Sequence, residues 1–290
     1  MKTKFRKSSY LKAIIFLVIV IVCTVRYIQS ERTAALVDGT IEIHIIDVGQ
    51  GDSVLVKTKS GNLLIDAGTN NSEEVLSEYL ESVNVTEFEY CIFTHPHEDH
   101  IGGADMIIEE YDVRNVILSP AVSSSNTFER LLDALERSEA EVFEAVPGDK
   151  YDIGDLQIFI MGPSVVSSGR DLNNTSVITR LTYGKSRFMF TGDAEKLQEG
   201  DILSEYTSLE LQCDFLKMGH HGSSTSSSKK FMDSVAPLYA AISCGRDNSY
   251  GHPHREIIQM LEERGIEYSR TDLEGSIVYI CDGSEIKIKN

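Results

Sequence analysis

The chain has 290 residues, of which 41% are hydrophobic and 25% are charged, a composition typical of globular proteins rather than of disordered chains or polytopic membrane proteins. Its 27 Lys and Arg against 45 Asp and Glu give a formal net charge of −18, which argues against a protein that holds nucleic acid on a broad cationic face. The five cysteines form no Cys-x-x-Cys pair, so neither a zinc ribbon nor a disulfide framework is expected.

The first thirty residues differ from the rest in charge. They carry six Lys and Arg and no acid, so their charge is +6 and the other 260 residues sum to −24. Between Lys12 and Arg26 lie thirteen uncharged, mostly apolar residues, a length between that of a signal-peptide core and that of a membrane-spanning helix. Since no small-residue cleavage pattern follows, we expect residues 1–30 to form a cytoplasmic basic tail and one transmembrane signal-anchor helix. Residues 31–40 would then be a linker and residues 41–290 an extracytoplasmic domain. A cleaved signal peptide, which would make the protein secreted, is the alternative.

Short apolar runs alternate with helical periods along the remaining chain. Three runs separated by Gly-containing turns predict strands at 41–48, 53–58 and 62–68, and the apolar spacing that follows predicts a helix with Ser72 as its N-cap. Further strands are predicted at 89–94, 113–119, 141–145, 157–162, 176–183, 186–192, 214–219 and 238–244. Further helices are predicted at 99–111, 126–138, 194–205, 227–234 and 254–264, with a closing hairpin at 277–289 that turns on Asp282-Gly283. This order indicates an α/β fold in one domain.

Three of the eight histidines lie within six residues, in Thr94-His95-Pro96-His97-Glu98-Asp99-His100. The segment follows a predicted strand and precedes a predicted helix, which is where α/β folds build their sites. His95 and His97 are two residues apart, so on an extended backbone they project to the same side. Asp99 and His100 follow at the turn into the helix. Two imidazoles followed by a carboxylate and an imidazole suit two neighbouring divalent ions, most simply Zn²⁺.

This H-x-H-x-D-H pattern in a strand–loop–helix setting resembles the metal-binding signature of the metallo-β-lactamase superfamily. Further segments resemble, in order, the C-terminal domain of ComEC-type DNA-uptake (competence) proteins: DVGQGDS (47–53), LLIDAG (63–68), NNTSVITRLTYGKSRFMFTGDAE (173–195), LKMGHHGS (216–223) and AAISCGRDNSYGHP (240–253). The resemblance covers residues 41–285 and implies a four-layer αββα sandwich, preceded here by one transmembrane helix. ComEC-type proteins carry a multi-helix channel ahead of this module, whereas this sequence has one hydrophobic segment there. We therefore expect it not to form the channel.

The resemblance also implies a ligand set for two ions. His95 and His97 would hold the first ion, Asp99 and His100 the second, and Asp193 would bridge them. The interval 101–192 contains no histidine, and Asn173 stands where a third ligand of the first ion is expected. An amide oxygen is a weaker ligand than an imidazole, so we expect one tightly and one loosely bound ion, with Mn²⁺ as an alternative to Zn²⁺.

Three more histidines follow later strands. His220 and His221 are adjacent, and side chains of adjacent residues on an extended backbone point in opposite directions, so one of the two is expected to bind metal. The sequence leaves open which of them does. We place His220 with the metal ligands and His221 with the catalytic residues, together with Asp99 and His252. Asp52 is expected to support a ligand histidine.

The chemistry implied is hydrolysis by a metal-activated water, for which phosphodiesters are well suited. The leading hypothesis is an extracytoplasmic nuclease or other phosphodiesterase of the ComEC-like type. Five basic residues near the last motifs would form a local cationic groove despite the acidic domain: Lys217, Lys229, Lys230, Arg246 and Arg255. A cell-wall phosphodiesterase, such as a teichoic-acid phosphorylcholine esterase, and a catalytically silent anchored binding module remain the alternatives. The partners expected are the phosphodiester polymer and the membrane.

Overall fold

A computed structural model of the protein describes residues 39–164 and 171–289. The predicted signal-anchor segment lies outside these residues, and none of the helices within them is long and apolar enough to cross a membrane. The described strands are β1 (Ile41–Ile45), β2 (Val54–Lys57), β3 (Asn62–Ile65), β4 (Glu87–Phe93), β5 (Asp112–Leu118), β6 (Glu141–Glu144), β7 (Lys150–Ile153), β8 (Leu156–Gly162), β9 (Ile178–Tyr183), β10 (Ser186–Phe190), β11 (Phe215–Lys217), β12 (Tyr239–Ile242), β13 (Glu267–Arg270), β14 (Ile277–Cys281) and β15 (Ile286–Ile288).

The helices lie between these strands. They are α1 (Glu73–Ser82), α2 (Glu98–Ile101), α3 (Ala104–Glu110), α4 (Asn126–Arg137), α5 (Lys196–Glu205), α6 (Ser208–Leu211), α7 (Lys229–Val235), α8 (Arg255–Arg264) and α9 (Thr271–Glu274), with 3₁₀ turns at Asn70–Ser72, Asn173–Thr175 and Gly219–Gly222. Helix α4 illustrates why they form: the Ser125 hydroxyl caps it by accepting from the Phe128 amide at 3.2 Å, and apolar residues at helical spacing bury one face.

Two mixed sheets form the centre of the fold. The first has the order β15-β14-β1-β2-β3-β4-β5-β6 and the second β13-β12-β11-β10-β9-β8-β7. In each sheet one half is antiparallel and the other, β3 to β6 or β10 to β13, is parallel. The inner faces of the two sheets share one apolar core, in which the rings of Phe215 and Tyr279 meet edge to face at 4.8 Å.

Helices cover both outer faces. α1 to α4 pack on the first sheet around Leu76, Ile107 and Leu131, and α5 to α8 pack on the second around Ile202 and Leu261. The predicted α/β sandwich with two sheets between helices is therefore confirmed for the described residues. The parallel strands of both sheets direct their carboxyl ends to the same edge of the sandwich, which is called the seam below. Loops that are distant in sequence therefore meet there.

Three of the differences between the sequence-based boundaries and the structure have a clear physical reason. The predicted helix 99–111 is two helices, because the Gly102 and Gly103 amides donate to the Gly68 and Ala67 carbonyls, at 2.7 and 3.3 Å, instead of continuing one helix. Glycine is required there, since a Cβ added to Gly102 would lie 2.1 Å from the Asn70 nitrogen. Ser72 does precede α1, but its hydroxyl accepts from the Thr69 amide at 2.9 Å instead of capping the helix. The sequence predicts neither β7 nor β13, since both are short edge strands rich in polar residues and with weak alternation.

Candidate active site

Loops after β4, β10 and β11 bring four side chains from separate parts of the chain together. Asp99 and His100 open α2, Asp193 follows β10, and His221 follows β11. One ligand atom from each of these four residues lies within 4.8 Å of every other, although up to 122 positions separate them in the sequence. Three of the four are buried, and Asp99 is partly exposed. The four residues are called the central cluster below.

His100 is held by a carboxylate on one side and faces the central cluster with the other. Its Nδ1 lies 2.8 Å from an oxygen of Asp66, which directly follows β3, and its Nε2 lies 3.3 Å from Asp193. Asp66 is itself fixed, because the Thr94 amide and hydroxyl both donate to it at 2.7 Å. This support fixes the ring orientation and leaves Nε2 as the nitrogen available to a ligand.

His221 is arranged in the same way with different partners. Its Nδ1 is 3.1 Å from the Ser243 carbonyl and 3.1 Å from Asp52, while its Nε2 is 3.3 Å from Asp99 and 3.6 Å from Asp193. Asp52 therefore contacts a histidine of the cluster, as expected. Its second partner is Lys217, whose ammonium is buried against it and also donates to the Met218 carbonyl at 3.0 Å.

That burial corrects one expectation from the sequence. Lys217 is 2% exposed and is neutralised by Asp52, so it cannot contribute to a cationic groove for substrate. The remaining members of the predicted groove, Lys229, Lys230, Arg246 and Arg255, are exposed.

The adjacent histidines do not lie on extended backbone, so the reasoning that they point in opposite directions is wrong. His220 and His221 have φ of +49° and +53° within the 3₁₀ turn Gly219–Gly222, and both rings face the same cavity. His220 Nε2 is 3.6 Å from Asp193, but its Nδ1 lies 3.0 Å from the Thr225 hydroxyl and its side chain is 21% exposed. The geometry thus favours His221 as the ligand and places His220 at the rim, which exchanges the roles chosen from the sequence.

The other predicted ligands adjoin the central cluster. The His95 ring lies 4.2 Å from that of His100 between centroids, and its Nε2 is 2.9 Å from His97 Nδ1. Asn173 begins the 3₁₀ turn Asn173–Thr175, and its side-chain oxygen is buried with no hydrogen-bond partner. His252 lies next to His221, with ring centroids 6.3 Å apart. The structure therefore brings all the predicted site residues to one place.

These residues open onto a polar cavity of about 470 Å³. Its lining consists of Gln50, His97, Glu98, Asp99, Asn173, Asp193, His220, His221, Tyr250 and His252. Asp52 and Asp66 lie behind this lining, where they contact the histidines instead of the cavity.

Comparison with known proteins agrees with this architecture. The family model described as the metallo-beta-lactamase superfamily matches residues 46–246. The chain belongs to the metallo-β-lactamase superfamily. It is similar to ComE operon protein 3 of Bacillus subtilis, 30% identical over 89% of this chain and 35% of that protein, and to competence protein ComA of Neisseria gonorrhoeae, 28% identical over 86% of this chain and 34% of that protein. The chain thus spans about a third of the length of these curated relatives.

A solved structure shows the same fold. The metallo-β-lactamase fold protein YhfI from Bacillus subtilis superposes with a TM-score of 0.55 at 12% identity, covering 83% of this chain and 100% of that one. The similarity to the two competence proteins confirms the resemblance stated from the motifs.

The side chains of this metallo-β-lactamase domain fit divalent ions. Several of their buried polar atoms have no hydrogen-bond partner among the described residues: His100 Nε2, His221 Nε2, Asp193 Oδ1 and Asn173 Oδ1. Leaving one such atom unsatisfied costs about 1–3 kcal/mol, so a group of them at one point indicates a missing partner. Imidazole nitrogens and carboxylate oxygens are the donors that Zn²⁺ and related ions prefer.

Electrostatics lead to the same conclusion. Burial alone raises the pKa of Asp193, but the charges of His221 and His100 outweigh it and hold that pKa well below its usual value. Burial lowers the pKa of His221, yet Asp193 and Asp52 outweigh it and raise the pKa to about 10. The pKa of His100 is likewise raised well above its usual value, against its burial, by Asp193 and Asp66. The cluster therefore requires positive charge, which protons or divalent ions can supply.

His252 behaves differently from these cluster histidines. Burial, followed by the charges of His221 and His220, lowers the pKa of His252 to about 4. Its imidazole is accordingly neutral at pH 7, so it serves as a hydrogen-bonding group toward the cavity.

Sequence reasoning assigned no role to Asp66 and misjudged Lys217. Asp66 carried the same signal as Asp193, a carboxylate directly after an apolar strand, and LLIDAG was among the matching motifs. The partner of Lys217 is 165 residues away, and no local pattern indicates it.

Proposed function

We propose that the protein is an extracytoplasmic phosphodiesterase that acts on nucleic acid with two divalent ions, Zn²⁺ or Mn²⁺, and is held at the membrane by residues 1–30. The observation that carries this proposal is the buried central cluster, whose unpartnered nitrogens and oxygens converge beneath a polar cavity. The similarity of the chain to two competence proteins supports nucleic acid as the substrate.

The donor set divides between two ions. His95, His97 and Asn173 would hold one ion, Asp99, His100 and His221 the other, and Asp193 would contact both. Bound divalent ions lower the pKa of water in the site and offset negative charge on the phosphodiester oxygens. Asn173 is the one amide in the set, which supports the expectation of unequal affinity.

The chain's own groups orient the substrate. Asp66 and Asp52 fix the rings of His100 and His221, so the ligands cannot rotate away when the phosphodiester approaches. His252 presents a buried Nδ1 with no partner at the cavity wall, and as a neutral imidazole it can hydrogen-bond a phosphoryl oxygen. His220, bonded to Thr225 at the rim, is placed to contact the polymer beyond the reacting phosphate.

The test uses the full-length chain, stripped with a chelator and reloaded with Zn²⁺ or Mn²⁺. Single-stranded DNA, RNA and bis-p-nitrophenyl phosphate are assayed, with Asp193→Asn and His97→Ala as site variants. Gly200→Ala, at a helical position where an added Cβ meets nothing within 4 Å, is the matched control. We expect metal-dependent cleavage that the two site variants lose by at least about 100-fold and the control retains.

Two results would change the proposal. Absence of metal-dependent cleavage of every phosphodiester would refute it. Cleavage of the small diester without cleavage of DNA or RNA would favour a cell-wall phosphodiester as substrate.

A further inference from the structure

Three aromatic rings form a stack that leads from the central cluster to the mouth of the cavity. The ring of His252 lies nearly parallel to that of His221, at 6.3 Å and 26°, and the ring of Tyr250 lies nearly parallel to that of His252, at 5.6 Å and 24°. His221 and His252 are buried, whereas Tyr250 is 66% exposed. The stack therefore begins at a cluster histidine and ends in solvent on an uncovered tyrosine.

The backbone next to the outer end of the stack is held by a side chain. The Asn248 side chain accepts from the His252 amide at 3.0 Å and donates to the His252 carbonyl at 2.6 Å, which fixes the backbone that carries both rings. Tyr250 thus presents a flat aromatic surface at a defined distance from the cluster. A tyrosine side chain has two torsion angles, so it loses little conformational entropy when a ligand stacks on it.

The charges around the cavity indicate how a polyanion would be held. Among the described residues that line it, none is Lys or Arg, and three are carboxylates: Glu98, Asp99 and Asp193. Apart from the ions, attraction to phosphate cannot supply affinity there. Contacts that do not depend on charge therefore matter more inside the cavity, and base–aromatic stacking is the strongest of these for nucleic acids.

We propose that the exposed face of Tyr250 is a stacking subsite for an unpaired nucleobase next to the scissile phosphodiester, so that the substrate is single-stranded nucleic acid. This rests on the proposed function. A base inside a duplex has both faces covered by its neighbours, whereas a base in a flexible single strand can continue the stack by one ring.

Gln50 adds a polar contact at the same mouth. Its side-chain oxygen accepts from the Gly245 amide at 3.0 Å, which fixes the amide group, and its Nε2 is buried without a partner on the cavity wall. That nitrogen can donate to a base edge or to a phosphate oxygen of the bound strand.

The experiment combines variants of the full-length, metal-loaded chain with paired substrates. KM is measured for single strands of DNA and RNA and for the same strands made abasic around the cleavage site. The variants are Tyr250→Ala, Tyr250→Phe and, as a matched control, Leu209→Ala, whose side chain is 69% exposed and does not line the cavity. Hydrolysis of bis-p-nitrophenyl phosphate by the wild-type chain tests the proposed function separately.

We expect Tyr250→Ala to raise KM for base-bearing single strands by roughly 5- to 100-fold, with kcat changed much less. Tyr250→Phe should recover most of that loss, because the ring is kept. The preference of the wild-type chain for base-bearing over abasic strands should fall toward one in Tyr250→Ala.

Three outcomes would overturn the inference. In the first, Tyr250→Ala raises KM equally for base-bearing and abasic strands. In the second, it changes KM no more than Leu209→Ala does. In the third, it raises KM for p-nitrophenyl phosphorylcholine and leaves single strands unaffected, which would assign the ring to a quaternary ammonium group. If the wild-type chain still cleaves the small diester and single-stranded nucleic acid in the first two cases, the proposed function stands and only the stacking subsite fails. The third case would count against the stacking subsite and favour a cell-wall phosphodiester as substrate.

Discussion

Metal affinity should depend steeply on pH, because ions must displace protons from the central cluster. In the metal-free chain the pKa of His221 is about 10 and that of His100 is well above its usual value, so both rings are protonated at neutral pH. A ligand imidazole must be neutral, and binding therefore releases both protons. Each proton displaced changes the apparent association constant tenfold per pH unit. Two protons give about 100-fold between pH 8 and pH 7, or about 2.7 kcal/mol.

Titration calorimetry measures this proton release directly. Zn²⁺ or Mn²⁺ is titrated into the chelator-treated chain at pH 7 in buffers that differ in protonation enthalpy, and the slope of observed heat against that enthalpy counts the protons. Competition with a chromophoric chelator between pH 6.5 and 8 then gives the affinity itself. An affinity independent of pH in this range, or release of less than one proton, would refute the charge balance derived for the cluster.

The raised pKa values of His100 and His221 also determine how the stability of the metal-free protein changes with pH. A histidine whose folded-state pKa is raised stabilises the metal-free fold fully below its unfolded value near 6.5. That contribution is lost as the pH rises toward the folded value, which is about 10 for His221. Ions bind more tightly over the same range. The difference in Tm between metal-loaded and metal-free protein should therefore widen from pH 7 to pH 9, as measured by differential scanning calorimetry, and a constant difference would contradict this.

Substitutions at Gly102, Lys217 and Phe215 test the structure around the site. Gly102→Ala should lower the free energy of unfolding in urea by roughly 1–3 kcal/mol and weaken metal binding, because the added Cβ would meet the Asn70 backbone at 2.1 Å. The control Gly200→Ala, in α5, should instead raise the free energy of unfolding by about 0.5–1 kcal/mol. Lys217→Met should cost at most about 3–5 kcal/mol, because the buried Asp52 carboxylate loses one of its two charged partners and keeps His221. Addition of Asp52→Asn should recover part of this, and an additive double variant would contradict the pairing. Phe215→Ala, in the core between the sheets, should cost about 3–5 kcal/mol in thermal unfolding but leave metal stoichiometry unchanged, and loss of the ions would contradict the separation of core from site.

Most of the fold could be predicted from the sequence, because the patterns that indicate its strands and helices involve residues close together in the chain. Alternating apolar runs located the strands that flank His95, Asp193 and His220, and turn residues separated them. The parts that failed were set by neighbours distant in sequence. The break at Gly102 comes from the carbonyls of residues 67 and 68, which accept from the Gly102 and Gly103 amides, and the apolar spacing of 99–111 contains no sign of it.

The composition of the site was predictable and its geometry was not. Residue types at strand ends are enough to identify His95 to His100, Asp193 and the paired histidines as candidate ligands. The choice between His220 and His221 depended on a left-handed backbone, which non-glycine residues adopt only when the surrounding structure requires it. Local patterns that assume extended or helical backbone cannot predict such a turn.

The central cluster is also part of what joins the two sheets. His100 and Asp66, which supports it, both follow strands of the first sheet. Lys217 and His221 lie at the end of a strand of the second sheet. Asp52, in the loop between β1 and β2 of the first sheet, contacts both of them. Displacement of one sheet relative to the other would separate Asp52 from both partners and leave three charged or polar groups buried without compensation. The arrangement that orients the ligand histidine is thus the same arrangement that fixes the sheets at the seam. Binding of ions at His100, His221 and Asp193 must then stabilise the packing of the sheets, since thermodynamic linkage requires the two to favour each other.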